Sequence, residues 1–449
     1  MAGRNLTYKT LDKHCAKGIV EPGEAIDLVV DQTMIHDVTG AAAVASAREL
    51  LQQMGKDRIR APETVILISD HYVYTKDPVS QRNHEILAEF AGEQGIKHAF
   101  LVQPGYGGDR DKVGPSYVGV CHQLMPELGY VLPGRTMFGA DSHTCTAGGL
   151  GMLAIGVGST AAGVSLATNK ALFEVPKVME IRFNGKLPDH IMGKDLILLV
   201  LQQLTREGGN GYIAEFTGDA LTDLSMDGRL TLNNMSTEGN FVTSIMTPDS
   251  TVLPELQRRA KFGFRPVYAD SDATYHQEVV FDVSSLDSLV AMPHSPDNVK
   301  PAKDIVTKID RVYVGSCTGG KREDFYRFAE KVNGKRVQTE VFIVPATKGV
   351  EYYIRTEKIG GRTLFEILRD SGALESTNGE LAPAGCNACL GGPKDTPGYL
   401  SKPMNVVSTT NRNFEGRMGA KEGQIYLASP LVAAATALTG YVTDPREVK

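Results

Sequence analysis

The sequence predicts an α/β protein whose sheets are rich in parallel strands, and three observations carry that reading. Apolar runs of strand length alternate with stretches of helical period along the chain, the pattern of strands joined by crossover helices. The run Thr64–Ser69 is apolar almost throughout, as a strand buried on both faces would be. The length, 449 residues, suits about three domains of ~150 residues, each able to bury a sizeable core.

Taken in order, Ala25–Asp31 (AIDLVVD) reads as a strand, and 41–55 (AAAVASARELLQQMG) as a helix closed by Gly55. Thr64–Ser69 is the next strand and 82–95 (RNHEILAEFAGEQG) the next helix. The most apolar run, 150–173, carries Ser, Thr, Asn and four glycines, too polar and interrupted to span a bilayer. A fresh strand begins in PKVMEIRFNGKLPDHI (176–191), and KDLILLVLQQLTR (194–206) reads as an apolar helix stopped by Gly208 and Gly209. The three prolines of MPHSPDNVKPAKDI (292–305) mark a linker. SPLVAAATALTG (429–440) reads as a small-residue helix. Domains are expected near 1–175, 176–295 and 296–449.

Composition narrows the function classes. With 47 basic and 53 acidic residues, net charge −6 and no polybasic block, neither nucleic acid nor an anionic membrane is the expected partner. Six cysteines in so long a chain do not make a disulfide scaffold. The first residues, MAGRNLTYKTLDKH, lack a targeting pattern, so a soluble, cytoplasmic protein is expected.

Three cysteines carry the sharpest signal. Cys317 lies alone in VYVGSCTGGKRED, and Cys386 and Cys389 form a Cys-x-x-Cys in APAGCNACLGGP. A [4Fe–4S] cluster normally takes four thiolates. Three would leave one iron able to bind water or substrate, making the cluster a Lewis acid rather than an electron carrier. Spacing alone leaves zinc and plain structural thiols open beside that reading. The flanking glycines favour the cluster, because they let backbone amides approach its sulfurs. Cys15, Cys121 and Cys145 have no ligand-like partner and read as small buried residues.

Acid–histidine adjacencies at strand ends are the second signal: Asp70-His71, Asp141-Ser142-His143, and His122 in VCHQ. A carboxylate fixes the tautomer of an imidazole and raises its basicity, as general acid–base work requires, and parallel sheets bind ligands beyond their carboxyl ends. His14, His84, His98, His190, His276 and His294 read as ordinary surface or core residues. The third signal, Asn411-Arg412-Asn413-Phe414-Glu415-Gly416-Arg417, suits a loop that grips carboxylates through forked guanidinium groups.

Together these stretches resemble the aconitase superfamily, and within it most closely the split hydro-lyases that act on isopropylmalate. The match runs in order through MIHDVTG (34–40), SDHYV (69–73), GADSHTCTAGGLG (139–151), GYIAEFTG (211–218) and LSMDGRLTLNNMSTEG (224–239). It continues through GSCTGG (315–320), GCNACLGG (385–392) and TTNRNFEGRMG (409–419). The resemblance implies three α/β/α domains, with the fourth, swivelling domain on a separate small subunit that supplies a serine base. It implies a [4Fe–4S] cluster on Cys317, Cys386 and Cys389, with one iron free of cysteine. Around it would stand the pairs Asp70–His71, Asp141–His122 and Glu238–His143, with His71 the proton donor to the departing hydroxyl. Asn234, Asn411 and Ser142 would hydrogen-bond cluster or substrate, Arg412 and Arg417 would bind substrate carboxylates, and His36 stands where aconitases carry a substrate-binding glutamine.

The implied activity is dehydration and rehydration of a 2-hydroxy dicarboxylic acid, foremost 2-isopropylmalate to 3-isopropylmalate in leucine biosynthesis. Homoaconitase, 2,3-dimethylmalate dehydratase and maleate or citraconate hydratase are the same-class alternatives. Electron transfer and iron-sensing RNA binding are the different-class ones. Two departures stand out: Gly319 replaces an asparagine, and Ala384 stands where proline often precedes Gly-Cys.

Overall fold

The computed structural model describes residues 3–448. It contains three mainly parallel sheets, and in two of them the chain reverses its direction of strand addition at the point where candidate residues emerge. The first sheet has the order His98–Phe100, Val65–Ile68, Gln32–His36, Thr136–Gly139, Leu153–Gly156, every pair parallel. The chain starts at the central strand Gln32–His36, adds two strands on one side, then two on the other. Between Gln32–His36 and Thr136–Gly139 lies a topological switch point, the crevice where open parallel sheets bind ligands. Val65–Ile68 is buried at all four positions. Ile35 and Leu67 pack with Leu87 and Phe90 on one face, and Met34, Ile66 and Ile68 pack with Leu124 and Met125 on the other.

A second, wholly parallel sheet has the order Thr243–Met246, Tyr212–Thr217, Lys177–Asn184, Gln277–Asp282. The third sheet has the order Val299–Pro301, Leu289–Ala291, Gln424–Ala428, Asn405–Ser408, Arg311–Val314, Glu340–Ile343. Its last four strands are parallel and its first two antiparallel. Arg311–Val314 and Asn405–Ser408 flank its switch point. Phe183 and Phe216 of the second sheet share one core with Tyr313 and Leu427 of the third.

Local chemistry sets the element ends. The helix expected at 41–55 spans Asp37–Gln53, starting earlier because the His36 side chain accepts from the Val38 N–H and caps it. The helix expected at 82–95 spans Pro78–Gln94, capped by Asp77 and closed by left-handed Gly95. The helix Gly193–Leu204 ends at Thr205, ahead of Gly208 and Gly209. The small-residue helix is Pro430–Thr439.

Two readings of the sequence change. Ala25–Val29 is a strand, yet it joins Cys15–Lys17 and Lys170–Glu174 in a small antiparallel sheet; its burial alternates with exposure, which an apolar run cannot reveal. The stretch expected as a linker lies in the antiparallel edge of the third sheet, where Ala291 pairs with Val299, and its prolines suit an edge. Among the described residues no helix is long and apolar enough to cross a membrane.

The loops leaving the third sheet's switch point pack with no room for a side chain at 319. A Cβ on Gly319 would stand 2.0 Å from Thr409 Oγ1 and 2.2 Å from its Cβ, while Thr409 Oγ1 accepts from the Gly315 N–H at 2.9 Å. The asparagine expected at 319 is therefore incompatible with Thr409 as it sits. Gly319→Ala is predicted to cost about 1–3 kcal/mol, the usual price of overpacking. In a double-mutant cycle Thr409→Gly should couple to it by more than about 0.5 kcal/mol. Urea denaturation measures both, and strictly additive effects would contradict the packing argument.

Candidate active site

The site grows from the carboxyl ends of the first and third sheets. His36 ends the central strand of the first sheet. Its Nδ1 accepts from Val38 N at 3.2 Å, so Nε2 carries the proton and faces Asp141 Oδ2 at 3.2 Å. Its ring stacks on that of His71, centroids 4.4 Å apart.

Asp37, the next residue, is fully buried and aims its carboxylate at the following loop. Oδ1 accepts from the N–H groups of Asp70 (2.8 Å) and His71 (3.1 Å), and Oδ2 from that of Tyr72 (2.9 Å). Burial disfavours its charge, yet His84, His71, His36 and these amides hold the carboxyl well below its ordinary range. Sequence reading passed over Asp37, although MIHDVTG contains it.

The structure brings the three acid–imidazole pairs together. Asp70 Oδ1 meets His71 Nδ1 at 2.5 Å, while Oδ2 accepts from the Cys121 N–H at 2.9 Å. Burial lowers the affinity of His71 for its proton. Asp70, then Asp37 and Asp141, more than reverse this and raise its pKa to about 10. Asp141 Oδ1 meets His122 Nε2 at 2.9 Å and the His143 N–H at 2.6 Å. His143 Nε2 meets Glu238 Oε1 at 2.8 Å. Glu238 stands just beyond the helix Met226–Asn234, and His143 and Arg412 hold it ionised against its burial.

The cysteines occupy the facing loops. Cys317 sits in the turn Ser316–Gly319 after Arg311–Val314. Cys386 and Cys389 lie in a loop that Tyr74 and Tyr117 pin by donating to Ala384 O at 2.9 and 2.6 Å. The Cys386 N–H donates to Asp70 O at 3.2 Å, so the two halves of the site touch through backbone. All three thiols are buried and unbridged, and they share an apolar cluster with Val120 and Ala346. Asn411 links them: Nδ2 donates to Cys317 Sγ and to Asn234 Oδ1, both at 3.3 Å, and Oδ1 lies 3.5 Å from Cys389 Sγ. Ser316 Oγ adds contacts to Cys389 Sγ at 3.2 Å and Cys317 Sγ at 3.6 Å.

This donor set fits an iron–sulfur cluster better than one small ion. Among the described residues the set of candidate ligand atoms lying within 4.8 Å of one another is His36, Asp37, Asp70 and His71, not the thiols. In that compact set the carboxylates already serve backbone amides and imidazole. Burial pushes the Cys317 thiol up to about 12. Cys389 is held below the ordinary thiol range by a hydrogen bond from Cys386, with Arg417 adding positive charge. Side-chain donors aimed at sulfur, here from Asn411 and Ser316, are what a cluster held by cysteine requires.

Ser142 and the arginines complete the array. Arg412 donates from Nε to Glu238 at 2.7 Å and from Nη2 to Ser142 Oγ at 3.1 Å. Arg417 differs: its Nε is buried without a hydrogen-bond partner. Asn234 donates to Thr146 Oγ1 at 2.7 Å. Of the histidines read as ordinary, His84 lies closest, with Nε2 4.0 Å from Asp37, but Ser69 Oγ and Tyr72 O occupy its nitrogens. Cys121 and Cys145 are buried as expected, whereas Cys15 is partly exposed.

The family model for the aconitase family (aconitate hydratase) matches residues 8–308 and 299–440. The chain is 42% identical to the 3-isopropylmalate dehydratase large subunit, chloroplastic, of Arabidopsis thaliana, over 99% of this chain and 87% of that protein. It is 39% identical to 3-isopropylmalate dehydratase large subunit 1 of Methanopyrus kandleri, over 99% of both chains. It is 38% identical to the corresponding large subunit of Heliobacterium modesticaldum, over the full length of both. With matched segments that span the acid–imidazole loops, the cysteines and the arginine loop alike, the chain belongs to the aconitase family.

Proposed function

We propose that this chain is the large subunit of a hydro-lyase that interconverts 2-isopropylmalate and 3-isopropylmalate, acting with a small subunit. The observation that carries the reading is the meeting of two half-sites: the Asp70–His71 pair touches the cysteine loop through Asp70 O and Cys386 N. The names of the large-subunit relatives support the substrate and the partner. Cys317, Cys386 and Cys389 would hold a [4Fe–4S] cluster with one iron free of cysteine, a group that supplies Lewis-acid polarisation of a hydroxyl.

The remaining chemistry belongs to side chains. Hydroxide is a poor leaving group, and His71, kept protonated by Asp70, donates the proton that lets it depart as water. Arg417, with an unsatisfied N–H, binds a substrate carboxylate, and Arg412 provides a second forked cation beside Ser142. Asn234 and Asn411 orient the thiolates and the substrate oxygens. His36 and His122 hold Asp141 in place, and Glu238 does the same for His143. The Cα proton leaves to a serine alkoxide carried on the swivelling domain of the small subunit. Water returned to the neighbouring carbon completes the isomerisation. Three domains, near 1–175, 176–295 and 296–449, would frame this chemistry.

Anaerobic co-expression with the small subunit should give iron and acid-labile sulfide in equal amounts, isomerase activity that needs both chains, and loss of iron in Cys317→Ser. Zinc in place of iron, or full activity of this chain alone, would refute the proposal.

The charge on His71 gives a second test. Its pKa is raised from 6.5 to about 10, so its ion pair contributes stability that is complete below 6.5 and lost as pH rises through about 10. The proton-donating form therefore persists across neutral pH. Asp70→Asn should move the alkaline limb of kcat down toward the ordinary histidine range and lower kcat at pH 8 by about 100-fold, the lower end of general-acid effects. An unmoved limb would remove His71 from the donor role.

A further inference from the structure

The helix Gly193–Leu204 places Lys194 in its first turn, where the macrodipole disfavours a cation. The side chain is fully buried. Its Nζ donates to Thr410 O at 2.5 Å, Thr409 O at 2.9 Å and Thr318 Oγ1 at 3.4 Å, and lies 3.5 Å from Met235 Sδ. Among the described residues none of its hydrogen-bond partners is a carboxylate. The adjacent Asp195 spends its oxygens on the N–H groups of Met192 and Leu289, each at 2.9 Å. The other buried lysine nearby, Lys321, is paired with Asp324 at 3.1 Å. A buried ammonium without an anion is costly, so its counterion has to be sought among its neighbours.

Those neighbours are the cysteine loops. Thr318 follows Cys317, and Thr409 and Thr410 precede Asn411, whose amide touches both Cys317 and Cys389 sulfurs. We propose that Lys194 is the buried countercharge of the cysteine site, pinning the 409–411 strap to the Cys317 turn and offsetting the negative charge of a thiolate-held iron–sulfur group. Lys194 is thus a positioning residue, acting through Asn411 and through its field, and does not touch the substrate. Burial first, then Lys321, push its ammonium down to about 7, against the pull of Cys317, Asp324 and Cys389. The argument rests on the cluster reading above.

The test compares wild-type holoenzyme, purified anaerobically with its small subunit, with Lys194→Met and Lys194→Gln. Glutamine keeps an N–H donor for the Thr409 and Thr410 carbonyls but carries no charge. Iron release to a chelator should be about tenfold faster in both variants, the lower end of what loss of an outer-shell partner does. The cluster's midpoint potential should fall, because a positive charge beside it is gone. The gain in melting temperature between iron-free and loaded protein should shrink, with kcat affected more than KM. Wild-type release and potential in Lys194→Gln would overturn the countercharge role, and if methionine fails to fold the glutamine variant decides alone. A wild-type protein that holds no iron or sulfide would instead sink the cluster reading itself.

Discussion

A carboxylate at the base of the site holds its chemistry in register. Asp37 takes three consecutive N–H groups, from Asp70, His71 and Tyr72, and so fixes the backbone that leaves the strand Val65–Ile68. That loop then fixes everything near it: the Asp70 side chain holds His71 and the Cys121 amide, and the Asp70 carbonyl receives the Cys386 amide. One buried charge thereby ties the acid–imidazole array of the first sheet to the cysteine loop of the third. A carboxylate bonded to several amides is strongly stabilised in its charged form, and Asp37 is held well below the ordinary carboxylate range, so this tie holds while Asp37 stays ionised.

The charge balance explains why so many ionisable groups tolerate burial. Asp141 is shared among His36, His122 and the His143 amide, and Glu238 between His143 and Arg412. Every one of these acids has a hydrogen-bonded partner, which is the condition for keeping a charge out of water. Partial satisfaction would be worse than an apolar core. The two switch points make full satisfaction geometrically attainable, because they open two crevices from which loops can converge.

Much of this was legible in the sequence, because local features carry it. The strand Val65–Ile68, the helix ends at Gly95 and Gly440, and the Asp70–His71 adjacency are all set within a few residues. Other contacts join distant segments. His143 and Glu238 are 95 positions apart, and only the resemblance paired them. Asp37 was overlooked because a buried aspartate beside a histidine looks like any helix cap, and its partners lie 33 to 35 positions away. Lys194 was hidden inside an apolar helix, where nothing local signals an ammonium reaching the loops at 318 and 409. The edge hairpin at 289–301 was misread because proline marks linkers and sheet edges alike.

The same balance bears on why a second chain enters the proposal. The array is rich in held protons and poor in bases: His71 stays protonated with its pKa at about 10. Asp37, Asp70, Asp141 and Glu238 are all engaged as hydrogen-bond acceptors. Freeing one of these carboxylates to abstract a proton from carbon would leave an imidazolium, a guanidinium or a row of amides without its partner. Such an array can deliver a proton to a leaving hydroxyl and bind anions. A strong base drawn from within it would dismantle the network that positions the acid. Acid and base catalysis at one carbon skeleton thus favour separate supports, and the base proposed for the small subunit would meet that need without disturbing the buried charges here.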